Sequence, residues 1–172
     1  HGIRSVWIWV TAATLTVATV AYFTRPIQRL IATQQAGTTK SAYDRYIQAD
    51  ELLVRFDKAG NVDKAISSLE ESIRQDPRFA LAYAALARAH YLEYRGKRDP
   101  ALLQKATEEC NQALALDAQL APVHVTLALI HNINGRTALA MHDIEQAVRL
   151  DGRSAEVYAA QADVLKGAGR TL

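Results

Sequence analysis

The apolar positions of this chain follow two different patterns. Ser5 to Thr24, SVWIWVTAATLTVATVAYFT, is apolar without a single charge. From Ser41 onward, apolar residues instead recur at intervals of three and four, the spacing of one face of an α-helix. Ala65, Leu69, Ser72 and Asp76 form one such set; Ala106, Cys110, Ala113 and Asp117 form a second; Ala140, Ile144, Ala147 and Asp151 form a third. Each reads small, large, small, acidic stop. A companion set precedes or follows each one: Ala49, Leu52, Leu53, Phe56; Tyr83, Leu86, Ala87, His90; His124, Leu127, Ala128, His131; and Tyr158, Gln161, Ala162, Leu165. The pattern predicts short antiparallel helices that alternate between two kinds of face.

The sets also keep a period. Ala65 to Tyr83, Ala106 to His124 and Ala140 to Tyr158 are each eighteen residues apart, and Ala49 to Ala65 and His124 to Ala140 are each sixteen. The two add to thirty-four, with turn glycines at Gly60, Gly135 and Gly169. A thirty-four-residue unit of two helices resembles the tetratricopeptide repeat (TPR). The resemblance implies an all-α TPR α-solenoid of about three and a half repeats: 41–77, 78–118, 119–152 and a partial 153–172. The family's end-of-repeat proline is met at Pro77, while Ala118 and Gly152 stand in its place. Physically, each helix is too short to bury its face alone, so pairs stack and the large residue of one enters the notch left by a small residue of the next.

The second repeat is seven residues too long between Tyr83 and Ala106. Seven residues are about two turns, which predicts one added turn in each helix. Gly96 is expected to end the first helix, Asp99 to cap the next, and Pro100 to take its first position. The fourth repeat stops after its turn glycine, so a further helix is expected beyond Leu172.

The uncharged segment predicts a transmembrane helix preceding the solenoid, within residues 1–25, with 26–40 as a juxtamembrane linker. Twenty helical residues rise about 30 Å, the thickness of bilayer hydrocarbon. Trp7 and Trp9 at one end, Tyr22 and Phe23 at the other, suit its interfaces. A buried soluble helix is the rival reading, and a cleaved signal with Thr19-Val20-Ala21 as its site is another. A start at His1 rather than Met favours an internal span with sequence upstream. Single-pass residence in a membrane follows as the expectation. Arg25, Arg29 and Lys40 outnumber Arg4, which by the positive-inside rule puts the repeats in the cytoplasm.

Composition narrows the chemistry. All eighteen Asp and Glu lie from Asp44 onward, and only Arg4, Arg25, Arg29 and Lys40 precede them among the twenty Lys and Arg. That leaves sixteen bases against eighteen acids in the body, poor material for tracking phosphates, so no nucleic-acid partner is expected. The single Cys110 excludes an internal disulfide framework and a cysteine zinc site. There is no phosphate-binding glycine loop, no serine elbow and no zinc-protease helix. His90, His124 and His131 occupy aromatic positions of the repeat and read as packing residues rather than metal ligands. Glu108-Glu109 and Glu70-Glu71 read as solvated faces. The fragment is expected to be no enzyme, with no cofactor.

Function then falls to a surface. In the family it resembles, the first helices of successive repeats line a peptide groove. Carried over, that implies Ile47, Asp50 and Val54 from the first repeat, Leu81, Ala84, Arg88, Tyr91 and Leu92 from the second, and Pro122, Val125, Leu129, Asn132 and Ile133 from the third. Lysine and asparagine at fixed groove positions form a carboxylate clamp in some members. Here those positions hold Asp50, Val54, Ala85, Pro122 and Thr126, so the clamp is absent. The implied partner is a protein or peptide with an apolar or amphipathic segment, with self-association possible; a following helix of the same chain filling the groove is the rival. The stretches AYDRYIQADELLVRFDKAGNVDKAI, RDPALLQKATEECNQALALD and LAPVHVTLALIHNINGR also resemble the repeat tails of bacterial receptor-type serine/threonine kinases. That implies the sensor or scaffold region of such a kinase in a bacterial cytoplasmic (inner) membrane, with the repeats outside the cell, against the charge rule. The alternative is a standalone membrane-anchored assembly factor of an envelope or secretion complex.

Overall fold

The computed structural model describes residues 37–169. Among them lie seven helices and no strand: α1 over 37–54, α2 Asn61–Gln75, α3 Ala80–Lys97, α4 Pro100–Leu116, α5 Ala121–Ile133, α6 Thr137–Asp151 and α7 Ala155–Gly167. From Ser41 onward they form one compact unit. Residues 37–40, read from sequence as the end of a linker, already belong to α1. Successive helices pack on one another, and the first helix of each later pair also packs on the first helix of the pair before, α3 with α5 and α5 with α7.

The repeating set does what its spacing requires. Ala65, Leu69 and Ser72, then Ala106, Cys110 and Ala113, then Ala140, Ile144 and Ala147 are all sealed from solvent. The acidic stops have a local cause as well. Asp76 accepts the Arg78 amide at 3.0 Å, Asp117 the Gln119 amide at 2.9 Å and Asp151 the Arg153 amide at 3.3 Å. This side-chain turn replaces the next helical hydrogen bond and holds the break. It works with Pro77, Ala118 or Gly152 in the following position, which is why the missing prolines do no harm. Inside the first and third pairs the reversal uses left-handed backbone at Gly60 and Gly135, with φ of 77° and 69°. A side chain there would meet its own carbonyl.

The seven extra residues of the second repeat go mostly into α3, which has 18 residues against 13 in α5. Asp99 caps α4 through the Ala101 amide at 3.0 Å and Pro100 takes its first turn. Gly96, however, does not end α3. The helix continues to Lys97, and the left-handed residue is Arg98 at φ 58°.

The fold class needs one correction. Among the described residues no helix is long and apolar enough to cross a membrane. The transmembrane helix expected within 1–25, with Ser5 to Thr24 as its span, lies outside the described residues. Nothing among the described residues supports a preceding span, and the single-pass inner-membrane location built on it is withdrawn. The described helices show why they cannot serve. Over its 18 residues α3 interleaves alanines with Arg88, Glu93, Arg95 and Lys97 and buries its apolar side on α2, α4 and α5.

Candidate functional site

The first helices of the pairs converge on a cleft of 190 Å³. α3 supplies Arg88, Tyr91, Leu92 and Arg95; α5 supplies Val125, Thr126 and Leu129; α7 supplies Glu156, Ala159, Ala160 and Asp163; Phe56 closes one side from the turn after α1. The volume is on the scale of one large side chain rather than of a helix. Arg88 sits between two acids, with Nε 3.1 Å from Glu156 and Nη1 3.6 Å from Asp50, and so ties α1, α3 and α7 together. The Arg95 guanidinium lies over the Phe56 ring, 5.9 Å from its centroid. The Tyr91 hydroxyl is pushed above its ordinary pKa, first by burial, with Arg95 opposing and Asp163 adding to the shift.

The thirteen groove residues inferred from sequence are distributed unevenly. Arg88, Tyr91, Leu92, Val125 and Leu129 meet in the cleft, and Asp50 reaches it through Arg88. Ala84 and Val125 are each only 2 % exposed, so the partial exposure a groove surface requires is absent there. Ala84 packs with Cys110, Val123 and Leu127, and Val125 with Ile144, Val157 and Val164. Their burial follows from α5 and α7 closing on the helices behind them. Leu81 packs half-buried beside Ala84. Asn132 is a structural tie: its amide donates to the Asp163 carbonyl at 3.1 Å, and Gly167 leaves room for it, since a Cβ there would stand 2.3 Å from the Asn132 oxygen. Ile47, Val54, Pro122 and Ile133 are exposed and do not line the cleft. Sequence reasoning missed Phe56 as a cleft residue, and missed Arg95, Glu156 and Asp163 altogether. The signal for the last two was available, because α7 opens a fourth repeat whose groove positions were left unread.

A second polar feature lies in the seams inside the pairs. His90, buried, has Nδ1 2.8 Å from a Glu109 oxygen across the α3–α4 seam. Across the α5–α6 seam, His131 and His124 place Nδ1 2.9 and 3.2 Å from the two oxygens of buried Asp143. An ionised carboxylate only accepts, so each ring donates through Nδ1. Glu109 and Asp143 both stand three residues after the small residue of their helix, Ala106 and Ala140, so these are one repeat position used twice. Glu109 is thus not the solvated residue its neighbourhood suggested, although Glu108 is exposed. The packing reading of the histidines omitted their acid partners. Burial raises the Glu109 carboxyl above its ordinary pKa, and the His90 hydrogen bond only partly offsets this. The Cys110 thiol is pushed up strongly by burial, which keeps it protonated and unreactive.

The chain matches no family profile and no curated protein. Among solved structures it is similar to a thermophilic TPR protein of Thermus thermophilus, TTC0263, at 20 % identity and TM-score 0.59, covering 79 % of this chain and 84 % of that one. It is similar to the TPR domain of Arabidopsis OM64, at 18 % identity and TM-score 0.58, covering 75 % of this chain and 98 % of the other. It is also similar to the first TPR domain of Spaghetti (RPAP3), solved with the HSP90 peptide SRMEEVD, at 18 % and 0.56, covering 76 % and 95 %. At these identities the likeness establishes the fold: a TPR-like helical solenoid.

Proposed function

We propose that the chain is a protein-interaction module that acts by binding rather than by catalysis, holding an apolar side chain of a partner peptide in the cleft between α3, α5 and α7. The observation that carries this reading is the cleft itself. It is of side-chain size, floored by Leu92 and Leu129 and rimmed by charge, a composition suited to one anchoring residue in a short segment. The peptide-bound RPAP3 domain lends the solenoid a precedent for such use. An extended segment with one apolar anchor fits this volume, and a whole amphipathic helix does not. The stretches similar to kinase repeat tails support a finer reading, that the module is the sensor or scaffold part of a serine/threonine kinase; a full-length sequence without a kinase domain would end it.

Ala159 is exposed and lines the cleft, so Ala159→Trp should plug it without disturbing the core. Peptides selected on the wild-type chain from a random linear library should lose binding to Ala159→Trp while its denaturant midpoint stays put. Failure to select any peptide that this plug blocks overturns the proposal.

A further inference from the structure

The cleft has walls of opposite charge. Arg88 and Arg95 are seven residues apart on α3, two turns along one face, and Glu156 and Asp163 are seven apart on α7. At one end Arg88 and Glu156 satisfy each other at 3.1 Å. At the other end Arg95 and Asp163 line the same volume, yet neither makes an ion pair among the described residues; Arg95 covers the Phe56 ring, and both charges act on the buried Tyr91 hydroxyl. Between them lie the apolar side chains of α5. One end is therefore closed by its own ion pair, and the other presents a cation and an anion on opposite sides of an apolar floor.

Resting on the peptide reading above, we propose that this open end selects peptides in which one apolar residue is flanked by an acidic residue facing Arg95 and a basic residue facing Asp163, and that it accepts them in a single charge order. A segment with two acids would leave Asp163 facing a like charge, and one with two bases would do the same to Arg95. The reversed order would do both. Opposing charges at an interface rim act more through exclusion of wrong partners than through added affinity. The occupant is thus a charge-asymmetric segment of another protein, distinct from an all-acidic tail.

The test is selection of random linear peptides on the full chain, on Arg95→Glu, on Asp163→Lys and on the double variant. Both residues are exposed, and circular dichroism checks that all four proteins keep their helices. Wild-type selections should converge on an acid, an apolar residue and a base in one order. Each single reversal should weaken those peptides about three- to tenfold, the scale of partly exposed pairs turned from attraction to repulsion. The double variant should select the opposite order. Apolar peptides without a charge order, or an unchanged order in the double variant, overturn this inference and leave the peptide reading standing. No peptide blocked by Ala159→Trp overturns both.

Discussion

The α3–α4 seam and the α5–α6 seam are the same structural element built twice, and they solve the same problem with different material. At the large position of the second helix, α4 has Cys110 and α6 has Ile144, both buried. At the acidic position, Glu109 serves one imidazole, whereas Asp143 serves two, one through each oxygen. The first pair has neither arrangement. It seals its seam with Leu69 and with the Ser72 hydroxyl donating to the Ala42 carbonyl at 2.7 Å, beside a cluster of Tyr43, Tyr46 and Phe79. The repeat therefore fixes where a side chain goes, while each pair chooses how that place is filled. A buried acid is tolerated only where imidazole N–H groups replace the water it has lost.

The largest expected difference between the seams is apolar. Ile144→Ala should cost about 3 kcal/mol, because a branched side chain leaves a cavity among α5, α6 and α7. Cys110→Ala removes little more than one methylene's worth of buried surface and should cost about 1 kcal/mol. Denaturant midpoints measure both. Equal losses would mean that the α3–α4 seam draws on Cys110 for more than its size, which its inert thiol does not suggest.

The next difference is polar. Asp143→Ala strands two imidazole donors and should cost about 2–3 kcal/mol; Glu109→Ala strands one and also relieves a carboxylate held in an unfavourable place, so about 1 kcal/mol is expected. If Glu109→Ala proved the more damaging, the deeper burial of His90 would outweigh the number of partners.

What could be read from the sequence follows from the range of the interaction. The helix faces, the small residues at Ala65, Ala106 and Ala140, the turn glycines and the Asp99 cap are set within a few residues, and periodicity exposes them. The seam pairs join residues nineteen apart, His90 with Glu109 and His124 with Asp143, on different helices. Only the repeat register could have matched them, and the seven-residue insertion hides that register in the second pair. The groove was harder still. Whether Val125 faces a partner or the core depends on how tightly α7 closes over α5, which no single helix encodes. The acid wall of the cleft lies on that same helix.

The smallest expected effect is a pH dependence carried by Glu109. The Glu109 carboxyl is held above its ordinary value because burial outweighs the downward pull of His90 and Lys105, with Glu108 adding a small upward push. In the interval between the ordinary carboxylate value and the raised one, the folded chain keeps this proton after the unfolded chain has lost it. Stability due to Glu109 must then fall as pH rises through that interval, and the loss persists above it. Glu109→Gln removes the titration, yet its amide oxygen can still accept from the His90 Nδ1–H. Urea unfolding of both proteins at a series of pH values should show the variant gaining on the wild type just above the ordinary carboxylate range and then holding a constant difference. A wild type that gains instead as pH rises would mean that the hydrogen bond to His90 dominates burial. In that case the α3–α4 seam would be stabilised by its carboxylate in the way proposed for Asp143, and the contrast between the two seams would reduce to the number of imidazoles each acid holds.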